Sequence, residues 1–281
     1  MAAGTSSRFV PLSVERPKGL VEVKGEILIE RQIRQLKEAG ITDITLVVGY
    51  KAEMFAYLRD KYAVDIVYNE DFARYNNTSS LIRVIEKLDN TFICSSDNYF
   101  PENVFTRESV DSYYSALYAE GKTNEYCLIT DAEDQITDVK VGGHDSWYMV
   151  GHVFFNHEFS EKFRKLMIKE YCNETTKQGY WEDLYIRYID QLPKMKINRY
   201  KEGDIQEFDS LDELRMFDES YKNDTRSSIV KQICKQLEVE EACVHAFRNI
   251  KHKGNYLQFQ FKVYDDVYEY NAENGIEIKK I

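Results

Sequence analysis

The sequence lacks the features that mark membrane, secreted and repetitive proteins. No apolar run approaches the length of a membrane-spanning helix, although hydrophobic residues make up 43% of the 281 residues. No charged stretch followed by an apolar one opens the chain, so no secretory signal is predicted. No internal repeat or low-complexity tract is present. These absences lead us to expect a cytoplasmic protein that does not bind a membrane.

Residue patterns typical of zinc sites and disulfide scaffolds are also missing. The five cysteines are odd in number and never spaced as CxxC, which indicates free thiols in a reducing compartment. The five histidines show no metal-ligand spacing. We interpret both groups as structural or exposed side chains.

Positive charge is scarce. The net charge is −11, from 37 Lys and Arg against 48 Asp and Glu, and no basic cluster is visible. Because binding to a polyanion rests on many cationic contacts, we expect no nucleic acid polymer as a partner. A small anionic nucleotide can still bind where metal ions and a few local cations balance its charge.

The amino-terminal segment, MAAGTSSRFVPLSVERPKGL, combines small side chains with cations. Residues 2–7 are all small, and Arg8 and Lys18 follow them. A run without bulky side chains lets backbone N–H groups surround an anion, and the two cations add positive charge. The segment therefore predicts a triphosphate site, and a disordered serine-rich terminus is the alternative.

Hydrophobic periodicity alternates between helix and strand in the first hundred residues. Helices are predicted over residues 26–40, 51–62 and 76–88, and strands over residues 41–49, 64–68 and 91–95. This alternation indicates an α/β fold with a doubly wound, mostly parallel sheet. Ligands of such sheets bind beyond the carboxyl ends of the strands.

The pattern changes after residue 112. Strands are predicted over residues 113–118, 125–130, 135–141, 147–155 and 194–200, and helices over residues 159–171, 181–190 and 211–217. We interpret this half as a substrate-side region packed on the sheet. Residues 222–281 are predicted to form a separate small α+β unit, with a helix over 229–237 and a hairpin of 256–263 and 267–270.

The order of residues in the amino-terminal segment resembles a known signature. The pattern A-A-G-x-x-S-R-x-x-P-L-[ST]-x-x-x-P-K-x-L is typical of the nucleotidyltransferases that activate sugar phosphates and phosphocholine, and it is matched here by Ala2-Ala3-Gly4, Ser7-Arg8, Pro11-Leu12-Ser13, Pro17-Lys18 and Leu20. The resemblance implies a nucleotide-diphospho-sugar transferase-like fold of GT-A type over residues 1–218. In that family a buried strand precedes the loop, so either that strand was lost from the sequence or the sheet forms without it.

Further segments resemble the family members that transfer a cytidylyl group from CTP to phosphocholine. They are VVGY at 47–50, YNN at 75–77, SDNY at 96–99, NEY at 124–126 and EDLY at 182–185. The resemblance implies that the products are CDP-choline and pyrophosphate. It implies nucleotide binding by Ala2, Ala3, Gly4, Ser7, Gly49, Tyr50, Asn77 and Ser80. For Asn77, a plain helix cap is a nearly equal interpretation.

Two aspartates are the predicted metal ligands. Asp97 ends a predicted strand, and Asp209 precedes a late helix. Magnesium prefers oxygen ligands and usually takes only one or two protein carboxylates. Taken alone, each aspartate fits a cap or a turn, but the resemblance implies that both bind Mg²⁺.

Aromatic and acidic residues supply the predicted acceptor site. The quaternary ammonium of phosphocholine cannot donate a hydrogen bond, so an aromatic cage, optionally with a carboxylate, is a suitable receptor. A single aromatic residue is more often part of a core than of a cage. The resemblance nevertheless implies substrate binding by Tyr126, Trp181, Asp183 and Tyr185, although the family often has tryptophan at position 126.

The resemblance implies catalysis mainly by positioning and charge neutralisation. Lys18 would bridge the α-phosphate of CTP and the incoming phosphate, and Arg8 would hold the β and γ phosphates. Two alternatives stay open: a sugar-1-phosphate nucleotidyltransferase, and a catalytically inactive nucleotide-binding or interaction protein. The sequence predicts no oligomeric state.

Residues 222–281 resemble, more weakly, the start of a choline-kinase-like domain. The resemblance rests on Leu237-Glu238-Val239, on Gly254-Asn255 and on the predicted hairpin that follows. A kinase needs a metal-binding aspartate and a catalytic loop much further along the chain. We therefore expect no kinase activity from this segment.

Overall fold

The structure is a computed structural model that describes residues 1–250, 257–273 and 277–281. Its α-helices are α1 (Leu12–Glu15), α2 (Leu28–Glu38), α3 (Tyr57–Tyr62), α4 (Thr78–Ile82), α5 (His157–Glu170), α6 (Glu174–Gln178), α7 (Trp181–Arg187), α8 (Leu211–Phe217) and α9 (Ser228–Leu237). Its strands are β1 (Glu22–Val23), β2 (Glu26–Ile27), β3 (Thr45–Val48), β4 (Asp65–Tyr68), β5 (Thr91–Cys94), β6 (Asn98–Tyr99), β7 (Tyr113–Thr130), β8 (Ile136–Phe155), β9 (Lys196–Arg199), β10 (Gln206–Glu207), β11 (Val244–Asn249), β12 (Gln258–Val263), β13 (Asp266–Asn271) and β14 (Glu277–Lys280). Gly254-Asn255 and the start of the predicted hairpin lie outside the described residues.

The chain forms two compact units, and each combines separate stretches of sequence. Unit 1 consists of Met1–Gly4 and Ile29–Glu207, and unit 2 consists of Thr5–Leu28 and Phe208–Ile281. The predicted domains, residues 1–218 and 222–281, are each a continuous stretch of sequence. In the structure, residues 5–28 belong to the same unit as the carboxyl-terminal residues, so the units are not continuous in sequence.

Unit 1 contains the α/β sheets. Strands β3 and β4 are parallel, with Thr45 opposite Asp65 and Val48 opposite Tyr68. A second sheet has the order β5-β8-β7-β9, in which β8 is antiparallel to both neighbours and β9 is parallel to β7. The α/β class is confirmed, but the sheets are mixed, because the short strands predicted between residues 113 and 155 merge into the long antiparallel strands β7 and β8.

The helices of unit 1 begin and end close to their predicted limits where one face is strongly apolar. Helix α2 buries Ile29, Ile33 and Leu36 on one face, as the periodicity predicted. Helix α4 is shorter than predicted and ends at Ile82, where a 3-10 turn follows at Ile85–Lys87. The apolar sides of the second sheet, α5 and α7 share one core.

Residues 1–3 lie between β3 and β5. The Ala2 N–H donates to the Val47 carbonyl at 2.7 Å, and the Met1 amino group donates to the Cys94 carbonyl. Adjacent to Met1, a cavity of about 800 Å³ is lined by both strands and by apolar side chains of α2 and residues 81–88. A strand that paired with both β3 and β5 would occupy this cavity.

Unit 2 contains the sheet β11-β12-β13-β14, which is antiparallel throughout. The hairpin of β12 and β13 and the helix α9 confirm the predictions for this part, whereas β11 and β14 were not predicted. Ser227 begins α9, because its hydroxyl accepts a hydrogen bond from the Val230 N–H at 3.1 Å. Among the helices of the described residues, none is both long and apolar enough to cross a bilayer.

Candidate active site

The predicted phosphate-binding cations lie on the part of unit 2 formed by Thr5–Leu28, called here the signature loop. Arg8 is in a 3-10 turn at Ser7–Phe9, and Lys18 begins another at Lys18–Leu20. The Arg8 guanidinium lies 2.6 Å from one Asp209 carboxylate oxygen, and Lys18 Nζ lies 3.5 Å from the other. The structure thus brings together two predicted phosphate ligands and one predicted metal ligand.

The two cations differ strongly in their exposure. The Arg8 side chain is 78% exposed, whereas Lys18 is only 4% exposed and its ammonium lies over the Phe9 ring, 5.8 Å from the centroid. A buried ammonium needs an anionic or hydrogen-bonding partner, because burial without one carries a large desolvation cost. Lys18 is therefore held in a defined position, whereas the Arg8 side chain is open to solvent.

Asp209 is placed by the start of helix α8. Its N–H donates to Glu213 Oε2 at 2.6 Å, and the next residue, Ser210, accepts from the Glu213 N–H at 3.2 Å. This reciprocal cap fixes the backbone at Asp209. The Asp209 side chain is 38% exposed to solvent, and its carboxylate contacts the two cations. A half-exposed carboxylate with only oxygen donors fits the preference of Mg²⁺.

Asp97 belongs to unit 1, in the turn between β5 and β6, and is partly exposed. Strand β6 pairs with β10, with Asn98 opposite Glu207. Among the described residues, no group of three or more His, Cys, Asp and Glu side chains surrounds a common point. Single carboxylates at Asp97 and Asp209 are the predicted donor set, and each has the chemistry that Mg²⁺ binds.

Three of the predicted nucleotide-binding residues, Ala3, Gly49 and Tyr50, meet at the end of β3. The Tyr50 N–H donates to the Ala3 carbonyl at 3.1 Å. A Cβ atom on Gly49 would lie 2.5 Å from Phe72 Cβ and 2.9 Å from the Ala3 carbonyl oxygen, so only glycine fits here. Ala2 and Ala3 are buried, Gly4 is exposed, and Ser7 is exposed on the signature loop.

Asn77 and Ser80 make hydrogen bonds within unit 1. Asn77 Oδ1 accepts from the Trp181 N–H at 2.8 Å, and its Nδ2 donates to Glu182 at 3.0 Å. The Ser80 hydroxyl accepts from Asn69 at 3.0 Å and is buried. Asn77 thereby connects the start of α7 to the start of α4, where it occupies the N-cap position without a side-chain cap hydrogen bond. Its predicted contact with the pyrimidine stays a prediction.

Tyr126 and Asp183, two predicted acceptor residues, are in direct contact. The Tyr126 hydroxyl donates to Asp183 Oδ1 at 2.8 Å, and Asp183 Oδ2 accepts from the Tyr180 N–H at 2.8 Å. Burial and this bond to Asp183 raise the pKa of Tyr126 well above its usual value, so the phenol stays protonated. The pair presents an aromatic ring next to a carboxylate, both partly exposed.

Trp181 and Tyr185 lie in the core. Each is 1% exposed, and the Trp181 ring stacks on Tyr114 and meets Phe155 edge-on. The apolar side of α7 thus faces the core of unit 1, and the predicted contact of these two rings with the acceptor stays a prediction.

The sequence offers Glu182 as a carboxylate of the substrate half, although the predicted acceptor set includes only its neighbour Asp183. Its carboxylate accepts from Asn77 and from the Tyr114 hydroxyl at 3.2 Å. Burial raises the pKa of Glu182 to about 7, although hydrogen bonds from Asn77 and Tyr114 oppose the change. The acidic pair Glu182-Asp183 was visible in the sequence, but nothing there indicated that Tyr114 would meet it.

The chain resembles known proteins over most of its length. The family described as MobA-like NTP transferase domain matches residues 1–132. A choline-phosphate cytidylyltransferase of Streptococcus pneumoniae is 34% identical over 80% of this chain and 97% of that protein. A 2-aminoethylphosphonate cytidylyltransferase of Lancefieldella rimae is 33% identical over 79% of this chain and 91% of that protein.

Solved structures agree with this relationship. The CTP:phosphocholine cytidylyltransferase of S. pneumoniae superposes with a TM-score of 0.75 at 35% identity, over 79% of this chain and 96% of that chain. The fold and the basic signature loop define a nucleotidyltransferase. The chain belongs to the nucleotidyltransferase family that includes the choline-phosphate and 2-aminoethylphosphonate cytidylyltransferases.

Proposed function

We propose that this protein transfers the cytidylyl group of CTP to phosphocholine and releases pyrophosphate. The observation that carries the proposal is the cluster of Asp209 with Arg8 and Lys18 of the signature loop, in a chain 34% identical to a choline-phosphate cytidylyltransferase. A phosphomonoester with a second pKa of about 6 is largely ionised at neutral pH, so it attacks without a general base. Its oxygen bonds to the α-phosphorus as the bond to the β-phosphate oxygen breaks.

The residues of the signature loop supply positioning and charge in this proposal. Lys18 contacts the α-phosphate and the incoming phosphate, where negative charge is greatest in the transition state. Arg8, with its exposed guanidinium, holds the leaving pyrophosphate. Asp97 and Asp209 are the residues that would hold Mg²⁺, which would supply charge neutralisation for the phosphates.

The acceptor cation is assigned to Tyr126 and Asp183. A phenol ring beside a carboxylate suits a trimethylammonium group through cation–π and charge attraction. With Trp181 and Tyr185 in the core, this is a smaller aromatic surface than the sequence implied. That observation favours a second candidate acceptor, 2-aminoethylphosphonate, whose primary ammonium would donate hydrogen bonds to the carboxylate.

Two measurements test the proposal. Labelled pyrophosphate should exchange into CTP only when CDP-choline is supplied, and absence of exchange would refute cytidylyl transfer to phosphocholine. A panel of phosphocholine, 2-aminoethylphosphonate and glucose-1-phosphate, assayed by pyrophosphate release, should give the highest kcat/KM with phosphocholine. A higher kcat/KM with 2-aminoethylphosphonate or glucose-1-phosphate would identify that compound, and not phosphocholine, as the acceptor.

We propose that residues 222–281 act as a non-catalytic module, and their likeness to the start of a choline-kinase-like domain stays a proposal. The described strands that follow α9 in sequence form an antiparallel sheet, which is compatible with that likeness. We also propose the cytoplasm as the compartment, since the five cysteines are unpaired by disulfides.

A further inference from the structure

The signature loop is fastened to the segment that follows α8, and residues 218–230 are called here the brace. Both belong to unit 2. The Lys24 N–H donates to Asp218 at 2.7 Å, and the Tyr221 hydroxyl donates to the Glu22 carbonyl at 2.7 Å. Asp218 and Tyr221 are 4% and 1% exposed, so these bonds are protected from water.

Of the signature-loop residues bonded to the brace that are named here, Glu15 is the closest in sequence to Lys18. Its Oε1 atom accepts from the Ser228 N–H at 2.7 Å, from the Ile229 N–H at 3.3 Å and from the Ser228 hydroxyl. These donors form the first turn of α9, a ten-residue helix whose positive end favours a carboxylate. Glu15 ends α1 and lies three residues before Lys18.

The signature leaves position 15 open, since it falls on an x between the serine and the proline. The loop pattern therefore does not require this contact. Because Glu15 is between Arg8 and Lys18 in sequence, fixing it restricts the backbone that carries both cations.

We propose that the brace is a positioning element for nucleotide binding, in which the α9 amino terminus holds Glu15 and so orients Lys18 toward the triphosphate. Glu15 and Ser228 are positioning residues and touch no substrate. This inference rests on the proposed function of the loop as the phosphate site.

The experiment compares Glu15→Ala, Glu15→Gln and Ser228→Ala with a matched control, Asp266→Asn. The control removes an ion pair to Lys280 within unit 2 that does not involve the signature loop. Hydrogen exchange of the loop amides and kcat/KM for CTP are measured on the full chain.

Glu15→Ala should speed exchange across the loop and lower kcat/KM for CTP by about tenfold, which is the effect of losing about 1.4 kcal/mol. Glu15→Gln keeps an acceptor oxygen, so its kcat/KM for CTP should lie between the values of Glu15→Ala and the wild type. Ser228→Ala should cause the smallest loss of kcat/KM. Values equal to those of Asp266→Asn, or faster exchange without a change in kcat/KM, would overturn the proposal. Hydrogen exchange can be measured on an inactive protein. An inactive wild type would therefore refute the proposed function, whereas the exchange rates of the loop amides would still test the brace.

Discussion

Lys18 Nζ lies 3.5 Å from an Asp209 carboxylate oxygen while Arg8 lies 2.6 Å from the other. A predicted metal ligand therefore bonds to the predicted phosphate ligands. Phosphate oxygens would compete with this carboxylate for the cations, and Mg²⁺ would compete with the cations for the carboxylate. The cluster is consistent with a site where charges are arranged before the substrates bind.

Replacing Lys18 should remove most of the activity. Lys18→Met should lower kcat by about 10²- to 10³-fold, as for loss of one charge-stabilising group in a transition state. Rapid-quench measurement of CDP-choline formation checks this. Lys162→Met is the matched control, because Lys162 forms an exposed ion pair with Glu158 within α5 and should leave kcat within twofold. Equal losses in the two variants would contradict the role of Lys18.

Removing either proposed metal ligand should raise the Mg²⁺ requirement. Asp97→Asn and Asp209→Asn each lose a negative oxygen, so the Mg²⁺ concentration for half-maximal activity should rise at least about tenfold. Asp204→Asn, whose carboxylate accepts from the Lys201 N–H at 2.8 Å, serves as the control. Chelation with EDTA should abolish wild-type activity, and full activity in EDTA would contradict a metal-dependent reaction.

Glu182 should make stability depend on pH. Its folded pKa of about 7 exceeds the ordinary value of 4.5, so the folded state binds the proton more tightly. The resulting stabilisation is present below pH 4.5 and is lost as the pH rises through 7, by roughly 1–3 kcal/mol.

The measurement is the urea midpoint of Glu182→Gln and wild type between pH 5 and pH 8. The variant lacks the titration, so its advantage over wild type should grow as the pH rises. Glu158→Gln is the control, because pairing with Lys162 lowers the pKa of Glu158 and places its titration below this window. A pH-independent difference would show that Glu182 does not titrate near 7.

Substitution of Trp181 should mainly lower stability, whereas substitution of Tyr126 should mainly affect acceptor binding. Trp181→Ala leaves a large cavity in the core and should cost about 3–5 kcal/mol of unfolding free energy. Tyr126→Phe keeps the ring but loses the bond to Asp183, and should change KM for the acceptor with little effect on KM for CTP. A rise in acceptor KM for Trp181→Phe without loss of stability would restore Trp181 to the cage.

The cavity next to Met1 should accept an added strand. Extending the chain before Met1 by five apolar β-branched residues should raise the melting temperature by several degrees, since a strand buried on both faces is apolar throughout. A Gly-Ser extension of equal length is the control. Burial lowers the pKa of the Met1 amino group, and an amide at that position would remove a buried charge. Equal melting temperatures would contradict the prediction.

The hydrophobic pattern of the sequence predicted helices correctly where one face of the helix is strongly apolar. The helix predicted over 26–40 appears as α2, and the helix over 229–237 appears as α9. Strand limits between residues 113 and 155 were less accurate, because bulges and a long antiparallel pairing merged the predicted pieces. Strands that pair can be distant in sequence, so the local pattern of one strand does not predict its partner.

The sequence by itself determined the α/β class, the signature loop with Arg8 and Lys18, and the family. These depend on periodicity and on fixed spacing within short stretches. Only the tertiary structure decided that Trp181 faces the core while Tyr126 reaches Asp183, and that Glu15 meets the start of α9. Each of these depends on which distant segments pack together, since packing sets burial and hydrogen-bond partners, and neither is encoded by residue type alone.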